Sequence, residues 1–116
     1  MSNPDDMRAC IDACLDCYRT CTATAMTYCL EMGGDHTPPG HFRLMMACSE
    51  ICRTAAHMML IHFDGHARIC RECAEICTRC ADDCDAMPGM EPCAAACRAC
   101  AAACYRMAAV DMRPPA

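Results

Sequence analysis

Small apolar side chains recur three and four residues apart along most of this chain, and the positions between them are mainly polar or alanine. The clearest run is Cys70 to Cys84, in which five cysteines are separated by gaps of three, four, three and four. That spacing places all five side chains on one face of an α-helix. The pattern therefore predicts a helix whose buried face carries sulfur where leucine or isoleucine is usual.

Two further runs repeat this spacing. Cys10 to Cys21 and Cys93 to Cys104 each hold four cysteines at gaps of four, three and four, so each predicts a helix with one sulfur-lined face. Cys29 lies roughly a quarter turn away from the line of the first run. We expect Tyr28 to occupy the buried position at that point.

The helix predicted at about 38–63 has a buried face of mixed composition. The same spacing predicts that its members are His41, Met45, Cys48, Cys52, Ala55, Met59 and His62. A second apolar line at heptad spacing, Leu44, Ile51 and Met58, is expected to face another helix or another subunit. The buried face of this helix therefore has two thiols near its centre, a thioether on each side of them and an imidazole at each end.

Glycine and proline divide the pattern into four segments, with breaks at Gly33-Gly34, Asp64-Gly65 and Pro88-Gly89. The predicted helices cover about 4–32, 38–63, 66–87 and 90–109, followed by a tail at 111–116. Short connections make sequence neighbours antiparallel. The sequence thus predicts an all-α protein, a single domain over 1–116 that forms an antiparallel up-down-up-down four-helix bundle with a cysteine-lined core.

Composition explains how such a core can form. The chain has 116 residues, with 16 cysteines, 12 methionines and only 12 residues of leucine, isoleucine, valine and phenylalanine together. So few large aliphatic side chains argue against an ordinary core. Cysteine is itself a small apolar residue, however, and methionine fills irregular gaps. We therefore expect a core of cysteine, methionine and alanine.

The charge and the N-terminus limit the partners and the compartment. The net charge is −5, and the ten basic residues are outnumbered and not clustered, which disfavours nucleic acid. No apolar run approaches the ~20 residues that span a bilayer, and Met-Ser-Asn-Pro-Asp-Asp lacks the features of a secretory signal. We expect a cytoplasmic protein with neither nucleic acid nor membrane as partner. In a reducing compartment, dense cysteine indicates metal or redox chemistry before disulfides.

Pairs of thiols one helical turn apart can share a ligand. Their Cβ atoms lie roughly 5–6 Å apart on one face, so two sulfurs can bind one small ion, and facing helices bring further sulfurs close. A disulfide between such neighbours would be strained because the Cβ vectors run parallel. Cross-helix disulfides could form on oxidation.

The identity of the metal follows from the ligands. Thiolate and thioether sulfurs select Cu(I), Zn(II) or iron–sulfur clusters. Zinc prefers four ligands in a tetrahedron, and ferredoxin clusters use spacings such as C-x2-C-x2-C, which this sequence does not contain. Cu(I) fits best because it accepts two or three sulfurs and needs no tetrahedron. An iron–sulfur redox protein and a zinc-thiolate buffer remain the alternatives.

Charge favours dense loading with several Cu(I) ions per chain. Buried thiols must be neutral without metal, and each Cu⁺ that displaces a proton leaves the charge of the core unchanged, which permits about one copper per thiolate. The predicted metal ligands are Cys10, Cys14, Cys17, Cys21, Cys29, Cys48, Cys52, Cys70, Cys73, Cys77, Cys80, Cys84, Cys93, Cys97, Cys100 and Cys104. No thiol is singled out as a nucleophile, so we expect no enzymatic activity.

Imidazoles and thioethers extend the candidate set. His41, Met45 and His66 are further candidate metal ligands, and the auxiliary candidates are Met59, His62, Met87 and Met90. Histidines at helix ends are as often explained by the C-terminal helix dipole or by solvent. His36 and His57 are expected on the surface.

Two segments resemble the copper storage protein family: His66 to Cys84, and Cys93-Ala-Ala-Ala-Cys-Arg-Ala-Cys-Ala-Ala-Ala-Cys104. The resemblance extends from about Cys10 to Met107. It implies a cysteine-lined four-helix bundle that holds many Cu(I) ions and forms a homotetramer, with methionine or histidine helping at the bundle ends. Because no secretory signal is visible, the chain resembles the cytosolic branch of the family.

The sequence departs from the family pattern at Pro92, where members often have histidine just before the first cysteine of the last helix. A ligand at that mouth must therefore come from elsewhere. The expected substitutes are Met87, Met90, His41 or Met45.

Antiparallel helices sort the remaining donors into two groups. One end is expected to gather Met32, His41, Met45, Met87 and Met90. The other is expected to gather Met7, Met59, His62, His66 and Met107. Thioethers bind Cu(I) more weakly than thiolates, which suits an entrance, and we expect copper to enter at the His41/Met45 end.

The sequence thus predicts Cu(I) storage or sequestration in the cytosol, for copper supply or detoxification, with a copper chaperone or copper enzyme as partner.

Overall fold

Four helices account for most of the chain in the computed structural model, which describes residues 4–111. The first, α1, comprises Pro4–Thr24, a π-helical turn Ala25–Cys29 and a last α-helical turn Leu30–Met32. The others are α2 (Pro39–Leu60), α3 (His66–Asp85) and α4 (Glu91–Asp111), and one 3₁₀ turn, Gly34–His36, lies between α1 and α2. Of the predicted tail, Asp111 is the last residue of α4, and 112–116 lie outside the described residues.

The helices form a closed ring. Each packs against its neighbour in sequence, and α1 packs against α4. The connections are short, which confirms the predicted antiparallel four-helix bundle. The bundle is elongated, with principal extents of 52 × 22 × 19 Å. Among residues 4–111, no helix combines the length and the apolar character that crossing a bilayer requires.

Two helix ends fall earlier than the sequence spacing suggested. α2 ends at Leu60 rather than near 63, because His62 adopts a φ of 55° that an α-helix cannot continue through. The backbone N–H of Phe63 donates to the carbonyl of Met58 at 3.0 Å and closes this end. α3 ends at Asp85, two residues before the predicted limit.

The core is built from sulfur. All sixteen cysteines are buried and reduced, and none is more than 1% exposed. The four largest fully buried side chains are methionines: Met45, Met59, Met90 and Met107. Alanines fill the remaining positions next to the helix axes. This confirms the expected core of cysteine, methionine and alanine.

The π-helical turn changes the direction in which the side chain of Cys29 points. Eight α-helical residues after Cys21 would turn Cys29 roughly 80° away from the sulfur-lined face. A π-helical turn holds an extra residue, and with it Cys29 points inward and is 0% exposed. The expectation that Tyr28 takes this buried position was wrong. Tyr28 is only half-buried, and its hydroxyl donates to the carbonyl of Pro88 at 3.4 Å.

The connection between α3 and α4 depends on a glycine. Gly89 has a φ of 83°, which L-amino acids other than glycine rarely adopt. A Cβ at this position would also overlap the hydroxyl and ring of Tyr28. The turn therefore fits closely against the last part of α1.

Candidate metal centre

The sulfur-lined faces of the four helices meet along the bundle axis. Thiols from different helices approach closely: the Sγ atoms of Cys21 and Cys93 are 2.9 Å apart, and those of Cys52 and Cys77 are 3.5 Å apart. Neighbours on one helix are also close, as Cys73 and Cys77 show with 3.8 Å. The interior is thus a continuous column of thiols rather than a set of separate pairs.

Fourteen of the cysteines fall into five groups in which all sulfur atoms lie within 4.8 Å of one another. We call these fourteen residues the thiol ladder. In order along the axis, the groups are Cys10/Cys70/Cys104, Cys14/Cys73/Cys100/Cys104, Cys17/Cys52/Cys77/Cys100, Cys17/Cys21/Cys48/Cys97 and Cys21/Cys80/Cys93/Cys97. Each group offers three or four soft ligands, which is enough to coordinate a soft metal ion.

Consecutive groups of the ladder share ligands. Five cysteines each belong to two groups: Cys17, Cys21, Cys97, Cys100 and Cys104. An ion in one group is therefore already bound to a sulfur of the next group. Movement along the axis can proceed by exchange of one sulfur at a time, without release into water.

Two cysteines, Cys29 and Cys84, belong to none of these groups within residues 4–111. The thiol of Cys29 donates to the thioether sulfur of Met90 at 3.8 Å. Cys84 interacts with Cys80 and Cys93, and its hydrogen bond with Cys80 is the main cause that raises its pKa. Both residues therefore extend the ladder at the end where α1 and α3 finish.

Hydrogen bonds between the thiols lower the pKa of some cysteines and raise the pKa of others. The bond with Cys17 is the largest of several that lower the pKa of Cys48. The bond with Cys100, followed by other thiol contacts and by burial, raises the pKa of Cys52. A thiolate is stabilised where several thiols donate to it, and those neighbours then keep their protons. Before metal binds, the column therefore holds few negative charges.

His41 is oriented by a carboxylate on another helix. It is 6% exposed, and its Nδ1 lies 3.1 Å from Oδ2 of Asp83. Its Nε2 is buried and has no hydrogen-bond partner among the described residues. A histidine that donates Nδ1–H to a carboxylate presents the lone pair of Nε2, which is the usual arrangement of a metal-binding imidazole. The sequence spacing did not identify Asp83 as a partner of His41, because Asp83 occupies an exposed position of α3 where a carboxylate is ordinary.

The remaining predicted donors differ in burial. Met45, Met59 and Met90 are fully buried, and His66 is 8% exposed at the start of α3. Met87 is half-buried, whereas His62 is exposed beyond the end of α2.

Sulfur and imidazole also gather at the opposite end from His41. Met7, Met59 and His62 line one cavity there, of about 480 Å³, together with apolar and charged residues of α1 and α2: Pro4, Arg8, Ile11, Asp12 and Leu60. His62 reaches this cavity from the turn after α2, outside the buried face on which it was expected.

Comparison with known proteins identifies the class. The model of the family described as copper storage protein matches residues 3–109. The chain therefore belongs to the copper storage protein family, which confirms the resemblance drawn from the sequence. Because this is a family of storage proteins, the prediction of a non-enzymatic protein is confirmed as well.

Individual relatives agree with this assignment. The Nmul_A1745 protein of Nitrosospira multiformis shares 48% identity and superposes with a TM-score of 0.92 over 93% of this chain and 99% of its own. Cu(I)-bound copper storage protein BsCsp3 shares 36% identity, with a TM-score of 0.82 over 89% and 98% of the two chains. The uncharacterized cysteine-rich protein YhjQ of Bacillus subtilis is 38% identical over 76 residues, 66% of this chain and 69% of its own.

Proposed function

We propose that this chain binds and stores Cu(I) along the thiol ladder, with several ions per chain. The observation that carries the proposal is the set of five overlapping sulfur groups on one axis. Membership of the copper storage protein family supports it, as does the Cu(I)-bound form of BsCsp3, a structure 36% identical to this chain.

The geometry favours Cu(I) over the two alternative metals. A zinc site uses four ligands of its own, whereas neighbouring groups here share theirs. An iron–sulfur cluster places iron and sulfide between its cysteines, and many sulfurs here are only 2.9–3.9 Å apart. Cu(I) needs two or three sulfurs, so shared ligands do not prevent dense occupancy.

We assign all sixteen cysteines as ligands. His41 is assigned with them because its Nε2 is buried and oriented. Met45 and His66 are also assigned, because both side chains are buried. Met59, Met87, Met90 and His62 are auxiliary donors. For His62, which is exposed, binding requires the side chain to turn toward Met59. We propose that copper enters at the His41/Met45 end.

An anaerobic titration of fully reduced protein with Cu(I), against a competing chelator, tests the proposal. Saturation is expected near one copper per thiol, since each Cu⁺ replaces one proton. Saturation at only a few ions per chain contradicts storage. Zn(II) titrated under the same conditions is the control for a zinc buffer, and a visible charge-transfer band with acid-labile sulfide in the purified protein identifies an iron–sulfur protein instead.

The assembly and the cellular context are also proposals. We propose a homotetramer, supported by the half-buried apolar line Leu44, Ile51 and Met58 on α2. Native mass spectrometry should give four chains for the wild type and fewer for Ile51→Glu, whereas a monomeric wild type contradicts it. We further propose that the protein acts in the cytosol, for copper supply or detoxification, and exchanges copper with a chaperone or copper enzyme.

A further inference from the structure

One pair of thiols in the ladder is closer than the others that are hydrogen-bonded. The Sγ atoms of Cys21 and Cys93 are 2.9 Å apart, whereas the other thiol–thiol hydrogen bonds among residues 4–111 span 3.5–3.9 Å. A disulfide has a sulfur–sulfur bond of about 2.05 Å, so this pair needs to close by only about 0.9 Å and the others by about 1.5 Å or more. The structure thus brings one pair nearest to covalent contact.

The two cysteines approach from different helices. Cys21 lies on α1 and Cys93 on α4, 72 residues further along the chain, and these two helices pack directly against each other. Neighbours on one helix have parallel Cβ vectors, which strains a disulfide between them. Side chains that meet from two facing helices are free of that restriction, so the geometry of this pair is compatible with a bond.

The position of Cys93 gives a small oxidant access to the pair. Both side chains are 0% exposed, but Cys93 lies in the first turn of α4, which begins at Glu91. Helix ends open locally at a lower free energy than helix centres, and hydrogen peroxide is small enough to enter during such an opening. Cys52 and Cys77, at 3.5 Å, lie instead well inside α2 and α3.

We propose that Cys21 and Cys93 of the metal-free protein are the site at which hydrogen peroxide forms a disulfide between α1 and α4. One sulfur attacks a peroxide oxygen and the O–O bond breaks, which gives a sulfenic acid and one water. The second sulfur then displaces the hydroxyl group, which leaves with the thiol proton as a second water. Two thiols are oxidised to one disulfide, and one peroxide is reduced to two waters.

The disulfide removes ligands from two groups of the ladder. Cys21 belongs to both of the groups that contain Cys97 and lie nearest the Cys29 end, and Cys93 belongs to one of them. A disulfide sulfur is no longer a thiolate, so the oxidised protein should bind about two fewer Cu(I) ions if each ion replaces one thiol proton. This consequence rests on the proposed storage function, whereas formation of the disulfide does not.

Peptide mapping tests the site directly. Reduced, metal-free protein is treated anaerobically with one equivalent of hydrogen peroxide, the remaining thiols are alkylated, and the protein is digested with trypsin. The first disulfide is expected to join the peptides 20–43 and 80–98, and fragmentation in the mass spectrometer should assign it to Cys21 and Cys93. A first disulfide between other cysteines overturns the proposal, and so does a protein that keeps all sixteen thiols free.

Matched serine variants test the rate. Cys21→Ser and Cys17→Ser each remove a cysteine of the same face of α1 that belongs to two groups, so both lose the same number of ligands. We expect loss of the first two free thiols to be on the order of tenfold slower in Cys21→Ser than in the wild type. Cys17→Ser should oxidise at nearly the wild-type rate, because the hydrogen bonds of Cys17 with Cys21 and Cys97 are 3.9 and 3.7 Å long.

Three further measurements complete the test. Thermal unfolding of both reduced variants checks that the fold is equally preserved, and equal oxidation rates in the two variants overturn the proposal. The Cu(I) capacity of the reduced wild type tests storage separately. High capacity without the Cys21–Cys93 disulfide rejects this proposal alone, whereas the disulfide together with low capacity rejects storage and leaves the oxidation site established.

Discussion

At the scale of single residues, the contact between His41 and Asp83 connects a proposed copper ligand to the surface of α3. Asp83 is about half exposed, whereas the imidazole is buried. A carboxylate that accepts from Nδ1 fixes the tautomer and the ring direction of a metal-binding histidine. Asp83 is thus a positioning residue for His41, at the same end of the bundle as Cys29 and Met90.

His41→Ala is expected to slow Cu(I) uptake about tenfold, and Asp83→Ala by a smaller factor, because loss of a positioning carboxylate weakens metal–imidazole binding. The total capacity should not change, since the ladder contains neither residue. Stopped-flow uptake from a Cu(I)–chelator complex measures both rates. The neighbouring carboxylate Asp82, which pairs with Arg98 at 3.1 Å, provides the control variant Asp82→Ala. Wild-type uptake in His41→Ala removes this residue from the entry route.

Gly89 is the residue on which the α3–α4 connection depends. Gly89→Ala is expected to destabilise the protein by about 1–3 kcal/mol, because a positive φ is unfavourable for alanine and the new Cβ meets Tyr28. Gly40→Ala is the matched control. A Cβ there has no neighbour within 4 Å, and alanine is the better helix former by about 1 kcal/mol. Chemical denaturation of the metal-free protein gives both values, and equal stability of the two variants contradicts this account of the turn.

At the scale of elements, the cysteine spacing predicted the helices correctly because one set of positions serves both purposes. The residues that must face inward to bind metal are the same ones that make each helix amphipathic. The spacing could not predict the end of α2, since His62 adopts a left-handed conformation that glycine usually occupies. It also could not predict the π-helical turn, whose residues Tyr28 and Cys29 contact the α3–α4 connection.

The π-helical turn can be tested by removing one residue from it. Deletion of Met26, which is 43% exposed, should convert the turn to α-helix and place the last cysteine of α1 seven residues after Cys21. Seven residues are nearly two full turns, so this cysteine should still face inward. We expect a folded protein with unchanged copper capacity, measured by circular dichroism and Cu(I) titration.

The control deletion lies within the regular part of α1. Removing Arg19, between Cys17 and Cys21, rotates one part of the helix relative to the other by roughly 100° and turns cysteines away from the axis. This variant should lose cooperative unfolding and much of its capacity. If deletion of Met26 is equally damaging, the π-helical turn is not simply an inserted residue.

At the scale of the whole molecule, burial of so many thiols makes the metal-free protein sensitive to alkali. The pKa is raised above that of an ordinary thiol for Cys14, Cys21, Cys29, Cys52, Cys70, Cys77, Cys84, Cys97 and Cys104. For Cys70 it reaches about 12, mainly through the hydrogen bond with Cys10. Unfolded cysteines ionise near pH 8.5. Above that pH, the unfolded chain loses protons that the folded chain keeps, so the folded state loses stability.

The melting temperature of reduced, metal-free protein should therefore fall between pH 8 and pH 10, by about 5 °C or more. Thiols with a lowered pKa, such as Cys48, do not oppose this fall, because above pH 8.5 they are ionised in both states. Copper-loaded protein should show a much smaller change, since its thiols have already lost their protons. Calorimetry under anaerobic conditions compares the two forms, and a constant or rising melting temperature of the metal-free form contradicts the argument.

The sequence was sufficient for the architecture and for the chemical nature of the core, because the positions of sixteen cysteines leave few ways to bury them. It was not sufficient to predict which sulfur atoms lie together in each group. That Cys17 and Cys100 each belong to two groups depends on how far the helices are shifted along one another. The pairing of His41 with Asp83 depends on the same shift, and side-chain spacing within one helix carries no information about it.

The sharing of cysteines between neighbouring groups has a consequence for the order in which ions bind and leave. An ion held by Cys10, Cys70 and Cys104 is separated from the Cys29 end by the four other groups. If ions enter and leave at that end, those deposited last depart first. The innermost ions then exchange only after the outer ones have gone, so a single column of equivalent sulfurs behaves as a fast compartment in front of a slow one.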